Sequence, residues 1–170
     1  MKNNDSGEQA ERKEYIASET IYIGCRILYI CVTLKTPMAI DNLQRILLID
    51  DDAGNNTVSR IFLKKVVIET EIVAFTDPVE GLGYIVSEYA SRPVNTILLL
   101  DINMPVLSGW DVLDKFTALP ETIKKYFTIY ILTSSINMED KQRAAVHPLV
   151  SAYIEKPMTI GLLKTIFLSD

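Results

Sequence analysis

Two uninterrupted runs of large apolar residues, Ile46–Ile49 and Ile97–Leu100, constrain the fold of this chain more than any other feature. A strand with one face in water alternates apolar and polar residues, whereas a strand covered on both faces is apolar throughout. Both runs therefore predict central strands of a parallel sheet. Each run ends abruptly in aspartate, the first at Asp50 and the second at Asp101.

The same kind of short strand alternates with helical patterns from residue 45 to residue 168. The five predicted strands are Ile46–Ile49, Ile72–Phe75, Ile97–Leu100, Ile129–Leu132 and Ser151–Ile154. Between and after them, apolar residues recur at helical spacing. This alternation predicts an α/β fold, a doubly wound five-stranded parallel sheet with helices on both faces and right-handed crossovers.

Two helices can be described further from the sequence. The first is predicted to bury Val58, Ile61, Phe62 and Val66 on one face. The second begins at Asp77 as its N-cap, followed by a proline at the first helical position and a glutamate at the third.

Composition excludes several classes of protein. The net charge of −5 and the lack of a clustered basic face argue against nucleic acid as a partner. Cys25 and Cys31, with His147 as the one histidine, form neither a redox pair nor a zinc set. We therefore expect reduced cysteines and a cytoplasmic location.

Residues 1–44 are interpreted as an N-terminal extension. Residues 1–20 are polar and are predicted to be mostly disordered or to form a frayed helix. Residues 21–34 are apolar but too short for a membrane span, which leaves a docking segment or an added strand. A third hypothesis is that the native chain starts at Met38, in which case residues 1–37 are a mis-assigned start.

Polar side chains follow four of the five strands. Because the carboxyl ends of parallel strands meet at one edge of a sheet, these side chains are predicted to converge. They are Asp50, Asp51, Asp101, Asn103, Thr133 and Lys156. Oxygen ligands without cysteine or histidine favour Mg²⁺, and aspartate can act as a nucleophile in phosphoryl transfer. A cation, a hydroxyl and an ammonium could then meet the phosphoryl oxygens.

Four motifs carry a family resemblance. They are Ile-Asp-Asp at 49–51, Asp-x-x-Met-Pro-x-x-x-Gly at 101–109, Leu-Thr-Ser at 132–134 and Glu-Lys-Pro at 155–157. With these motifs in this order, residues 45–170 resemble the response-regulator receiver domain of bacterial two-component signalling, of the stand-alone type. The resemblance implies a chemotaxis-regulator-like, flavodoxin-like sheet of strand order 2-1-3-4-5.

The resemblance also implies a role for each site residue. Asp101 would accept a phosphoryl group from a sensor histidine kinase or a histidine phosphotransfer protein. Asp51, Asp101 and the backbone carbonyl of Asn103 would bind Mg²⁺ directly, with Asp50 assisting through water. Lys156 would pair with the phosphoryl oxygens.

The remaining implications concern the response to phosphorylation. Thr133 would move its hydroxyl toward the phosphoryl group and Tyr153 would turn inward with it, so that the two form a switch. Lys156-Pro157 would be a cis peptide. The domain would be a phosphoacceptor that assists its own phosphorylation and dephosphorylation, and its output would be contact with an unknown target protein or a second copy.

Two other functions are weighed against this one. A haloacid-dehalogenase-like phosphatase also uses aspartate and Mg²⁺, but needs a second aspartate where Asn103 stands. A receiver-like binding module that never carries phosphate is disfavoured by the presence of Asp51, Asp101, Thr133 and Lys156 together.

Three residues near the motifs are given structural interpretations. Asp52 is expected to be solvated or to cap a helix. Trp110 is expected to pack beside the site, and His147 to be a loop residue.

Overall fold

The structure is a computed structural model that describes residues 20–23, 26–29, 42–134 and 137–168. The strands are β1 (Thr20–Ile23), β2 (Arg26–Tyr29), β3 (Arg45–Ile49), β4 (Glu71–Phe75), β5 (Thr96–Asp101), β6 (Phe127–Thr133) and β7 (Val150–Glu155). The helices are α1 (Ala53–Lys64), α2 (Pro78–Ser91), α3 (Gly109–Thr117), α4 (Glu121–Lys124), α5 (Met138–Val146) and α6 (Ile160–Leu168).

Strands β3 to β7 form one parallel sheet in the order β4-β3-β5-β6-β7. Counted from β3, this is the predicted order 2-1-3-4-5, so the expected fold is confirmed. The register pairs Ile49 with Phe75 and Leu100, and Asp101 with Leu132. The carboxyl ends of neighbouring strands therefore stop at nearly the same level, which brings the residues after them to one edge.

Helices cover both faces of the sheet, because the strands are apolar on both. Leu47 and Ile49 of β3 pack with buried residues of α2, α3 and α5, including Ile85 and Phe116. Residues that alternate with them, Ile46 and Leu48, pack against α1 and α6 on the opposite face. Each face thus has its own core, and both cores meet in the central strands.

The N-terminal extension contributes a hairpin in which β1 and β2 pair antiparallel. In the described residues these two strands form a separate sheet and are not added to the five-stranded sheet, so the role of residues 21–34 stays a hypothesis. Thr20 begins β1, so the disorder or frayed helix predicted for residues 1–20 does not extend to that residue. Residues 1–19 lie outside the described part, and the alternative start at Met38 stays a hypothesis.

The predicted buried face of α1 is wrong for two of its four residues, since Phe62 and Val66 pack partly buried against the core as expected. Val58 and Ile61 are 47% and 49% exposed, whereas Asn56 and Leu63 are buried. The helix is oriented by Asn56, whose amide lies against the strand ends, and Leu63 follows it after two turns on the same face. Because one of the core-facing positions is occupied by a polar asparagine, the hydrophobic pattern did not identify the buried face correctly.

The other helices largely follow their predictions. Asp77 caps α2 by accepting a hydrogen bond from the backbone N–H of Val79, 2.7 Å away, and Pro78 is the first helical residue. The single turn α4 was not predicted, since four residues are too few for a helical period to show.

Gly109 allows the start of α3 to rest directly on the backbone of Asp101. A Cβ atom at this position would lie 2.3 Å from the carbonyl oxygen of Asp101, far inside contact distance. We therefore expect Gly109→Ala to lower the free energy of unfolding by about 3 kcal/mol, because backbone must move to admit the methyl group.

Gly83 in α2 provides the matched control. A Cβ atom there meets nothing within 4 Å, so Gly83→Ala should raise the free energy of unfolding by about 0.5–1 kcal/mol through helix propensity alone. Urea unfolding of the two variants measures both effects. Equal responses at the two positions would contradict the close approach of α3 to Asp101.

Candidate functional site

Three carboxylates converge at the carboxyl edge of the sheet. One oxygen from each of Asp50, Asp51 and Asp101 lies within 4.8 Å of the others. Asp50 and Asp101 are only 2% and 4% exposed, and Asp51 is exposed to solvent. The structure thus brings together the three carboxylates predicted as metal ligands. Two of them are buried, and the third is exposed at the surface.

Lys156 supplies the positive charge within this cluster. Its Nζ lies 2.6 Å from Oδ2 of Asp50 and 3.1 Å from Oδ2 of Asp101. Its backbone N–H donates to the carbonyl oxygen of Thr133 at 2.8 Å, which joins the ends of β6 and β7. The peptide between Lys156 and Pro157 is cis, as the resemblance implied.

The surroundings of Asp101 disfavour the charged form of its carboxyl. Burial raises the pKa of its carboxyl above the ordinary value, and the nearby Asp50 adds to the rise, while the ammonium of Lys156 opposes both. Its Oδ1 is buried and has no hydrogen-bond partner among the described residues, although the backbone N–H of Asn103 acts on the carboxyl to lower its pKa slightly against these effects. A buried carboxylate oxygen without a partner is costly, and an ion held there would remove that cost.

Oxygen donors of this kind fit a hard divalent cation. The cluster offers carboxylates without a sulfur or nitrogen ligand, which is the donor set that Mg²⁺ prefers. Asn103, the fourth predicted ligand, lies two residues after Asp101 on the loop that leaves β5, where it is exposed. Only its backbone carbonyl was expected to take part in binding.

The side chain of Asn103 has another contact, which the sequence did not predict. Its Nδ2 donates a hydrogen bond to Oγ1 of Thr133 at 3.3 Å. Thr133 is fully buried at the end of β6. The amide therefore holds the hydroxyl that the resemblance assigns to the phosphoryl group.

Tyr153, the other predicted switch residue, also contacts Thr133. Tyr153 is 4% exposed, and burial raises the pKa of its phenol above the ordinary value, whereas a hydrogen bond with Thr133 lowers it. The two residues predicted to form the switch are thus in direct contact, with the tyrosine buried in the protein.

Asn56 is a site residue that the sequence analysis missed. Its Nδ2 donates to the carbonyl oxygens of Asp50, at 2.8 Å, and of Phe75, at 3.2 Å. It thereby ties the ends of β3 and β4 together and fixes the peptide from which the Asp50 side chain extends. Asn56 stands seven residues before Leu63, which places both on the same face of α1. This spacing is the sequence feature that could have indicated a buried asparagine.

Asp52 and Trp110 have the structural roles predicted for them. Asp52 caps α1, accepting backbone hydrogen bonds from Gly54 and Asn55, and does not belong to the carboxylate cluster. Trp110 is buried beside the site. His147 directly follows α5 as its C-cap, and its ring centroid lies 6.5 Å from that of Trp110.

In the described part of the chain, no helix has the length and apolar character needed to cross a membrane.

Comparison with known proteins places this arrangement in a family. The sequence model of the response regulator receiver domain matches residues 46–167. Response regulator Rcp1 of Synechocystis is 28% identical over 113 residues, which cover 65% of this chain and 75% of that protein.

Solved structures agree with the sequence match. A two-component response regulator from Cytophaga hutchinsonii superimposes with a TM-score of 0.68 at 27% identity, covering 75% of this chain and 96% of that one. The phosphorylated cyanobacterial phytochrome response regulator RcpA gives a TM-score of 0.60 at 26% identity, covering 75% of this chain and 95% of that one.

Proposed function

This chain belongs to the response regulator receiver domain family, and we propose that Asp101 is its phosphoacceptor. The observation that carries the proposal is the state of the Asp101 carboxylate. It is buried, its Oδ2 lies 3.1 Å from Nζ of Lys156, and its Oδ1 has no partner among the described residues. The carboxylate also belongs to the cluster with Asp50 and Asp51. Such a carboxylate gains from a ligand that brings positive charge to it.

The proposed donor is a phosphohistidine on a sensor histidine kinase or a histidine phosphotransfer protein. A carboxylate oxygen of Asp101 attacks the phosphorus atom, so that a P–O bond forms as the P–N bond breaks. The imidazole leaves with the electron pair of the broken bond and takes up a proton. Asp101 must be ionised to attack, and the ammonium of Lys156 supports that state.

The residues around Asp101 are suited to hold the transferred group. Asp50, Asp51, Asp101 and the backbone carbonyl of Asn103 would hold Mg²⁺, which when bound neutralises charge on the phosphoryl oxygens. Lys156 offers an ammonium on the side of Oδ2. The hydroxyl of Thr133 would serve a further oxygen once it exchanges its contact with Asn103 for one with the phosphoryl group.

The signal would leave the domain by contact with another protein. Because Thr133 contacts Tyr153, a movement of the threonine hydroxyl changes the surroundings of the tyrosine ring. The negative charge of a phosphoryl group on Asp101 would thus alter the protein surface near α5 and β7, so that a local electrostatic change affects a surface away from the site. We propose that a downstream protein binds that altered surface.

The first test is the fluorescence of Trp110, the one tryptophan of the chain, during titration with Mg²⁺ and then with beryllofluoride. Beryllofluoride mimics a phosphoryl group on aspartate. We expect a saturable response to Mg²⁺ and a second, Mg²⁺-dependent response to beryllofluoride. A folded protein that responds to neither would be a phosphate-independent binding module instead.

Two neighbouring aspartates provide a test variant and a matched control for the Mg²⁺ titration. Asp51→Asn removes one charge of the cluster, and we expect Mg²⁺ to bind about thirtyfold more weakly, which corresponds to about 2 kcal/mol for a divalent ion. Asp52→Asn removes an equally exposed charge outside the cluster, and asparagine caps a helix as well as aspartate does. Its Mg²⁺ affinity should stay within about twofold of the wild type. Equal losses in the two variants would argue against a built cation site.

A further inference from the structure

Trp110 and Asp140 join the first turn of α3 to the first turn of α5. The indole Nε1–H of Trp110 donates to Oδ1 of Asp140 at 2.8 Å, across 30 residues of sequence. Trp110 is 7% exposed and Asp140 is half-buried, so this hydrogen bond is partly shielded from water. Because its acceptor is a carboxylate, the bond is of the stronger, charge-assisted kind.

A second contact on the same ring strengthens the connection. The guanidinium of Arg143, three residues after Asp140, lies 4.3 Å from the centre of the Trp110 ring system. Arg143 also approaches Asp114 of α3, with Nη2 3.8 Å from Oδ2. The indole thus has one contact at its edge and one on its face, both with α5.

The other side of Trp110 is connected to the phosphoacceptor. The N–H of Gly109, the preceding residue, donates to the carbonyl oxygen of Ile102 at 3.0 Å. The Cα of Gly109 rests so closely on Asp101 that a Cβ would lie 2.3 Å from its carbonyl oxygen. The backbone immediately before Trp110 is therefore packed against the backbone at Asp101.

Helix α5 is connected to the site by a second route. It starts at Met138, five residues after Thr133, and the ammonium of its Lys141 lies 5.9 Å from the ring centre of Tyr153. If Thr133 and Tyr153 move when the site is filled, we expect α5 to move as well, because it follows Thr133 along the chain and contacts Tyr153 through Lys141. The contacts with Trp110 resist that movement, because they hold α5 to an element that is fixed at Asp101.

We propose that Trp110 and Asp140 form a latch that holds α5 in its resting position and so opposes activation of the domain. The proposal rests on the proposed function and adds a positioning residue to it. A contact that is present at rest and lost in the occupied state lowers the affinity for the ligand by its own contribution. For one hydrogen bond to a carboxylate, that contribution is about tenfold in affinity.

The latch can be observed in the unmodified protein, since a chain with one tryptophan gives one indole N–H resonance. In the free protein we expect that proton to exchange slowly with water. Addition of Mg²⁺ and beryllofluoride should shift the resonance and make its exchange faster. A resonance that keeps both its position and its exchange rate when the ligand is bound would overturn the latch.

Variants of α5 test the energetic role. Asp140→Ala removes the acceptor, and we expect beryllofluoride, with Mg²⁺ present, to bind about tenfold more tightly by calorimetry. Asp140→Asn keeps an acceptor oxygen and should stay within about threefold of the wild type. Glu139→Ala is the matched control, because it removes an exposed acid from the same helical turn, and Glu139 is not the acceptor of Trp110.

The outcomes separate the latch from the function on which it rests. Equal affinity in Asp140→Ala and the wild type, or equal changes in Asp140→Ala and Glu139→Ala, would exclude the latch while leaving Asp101 as the phosphoacceptor. A wild-type protein that binds no beryllofluoride in the presence of Mg²⁺ would instead remove both proposals together.

Discussion

Replacing Asp101 by asparagine is expected to abolish phosphoryl transfer to this chain and, at neutral pH, to raise its resistance to unfolding. The loss of transfer follows because an amide oxygen is too weak a nucleophile to attack phosphorus, and labelled phosphate from a phosphohistidine donor should fall at least a hundredfold.

The gain in stability has a separate cause. The carboxylate of Asp101 is buried beside Asp50 with one oxygen lacking a partner among the described residues. A neutral amide removes that repulsion. It also removes the ion pair with Lys156, but Lys156 keeps Asp50 as its partner, and since the net effect of the site is to raise the pKa of Asp101 we expect a gain of about 1–2 kcal/mol.

The pH dependence gives an independent check on the stability effect. The folded protein raises the pKa of Asp101, so the folded state binds this proton more tightly than the unfolded state does. The contribution of Asp101 to the free energy of unfolding therefore falls as pH rises from its unfolded pKa to its raised folded pKa. Asp101→Asn should remove this fall, so that the curves of variant and wild type diverge as pH increases through that range.

Asp77→Asn is the matched control, because it replaces an exposed aspartate that caps α2 with a residue that caps equally well. It should accept labelled phosphate like the wild type. Labelled phosphate on Asp101→Asn at the wild-type level would assign the acceptor to another residue, whatever the stability of the variant.

Replacing Lys156 by methionine is the second large effect that we expect. The side chain of Lys156 is 13% exposed and pairs with two buried carboxylates, those of Asp50 and Asp101. Methionine keeps the apolar stem but removes the ammonium, which leaves both carboxylates facing each other without a counter-charge. Loss of one partner of a buried ion pair costs about 3–5 kcal/mol, and urea unfolding in the absence of divalent cations should show a loss of that size.

Added Mg²⁺ should restore part of this loss, because a cation held by the same carboxylates replaces the missing charge. Lys124→Met is a close control. Lys124 is also 13% exposed and also makes an ion pair of 2.6 Å, but its partner Glu121 is 83% exposed. An ion pair with a solvated partner contributes about 1 kcal/mol or less. Similar losses for Lys124→Met and Lys156→Met would show that the carboxylates of the site do not depend on Lys156.

The sequence by itself determined the features of this protein that depend on neighbours along the chain. Apolar runs such as Ile46–Ile49 identified the strands, because only a strand covered on both faces needs such a run. Asp77 and Pro78 marked the start of α2 for an equally local reason, since the cap and the first turn are adjacent. Parallel strands end at one edge, so the convergence of Asp50, Asp101 and Lys156 also followed from the predicted order of elements.

Only the tertiary structure decided which partner each polar side chain finds across the fold. The amide of Asn56 in α1 donates to the carbonyl oxygens at two strand ends. The amide of Asn103 donates to Thr133, and the indole of Trp110 donates to Asp140. Each of these bonds links elements that are far apart in sequence. Its formation depends on helix orientation and side-chain packing within about an ångström, which residue spacing along one element does not specify. Hydrophobic periodicity therefore determines which elements form, whereas the packed protein determines which polar groups can act together.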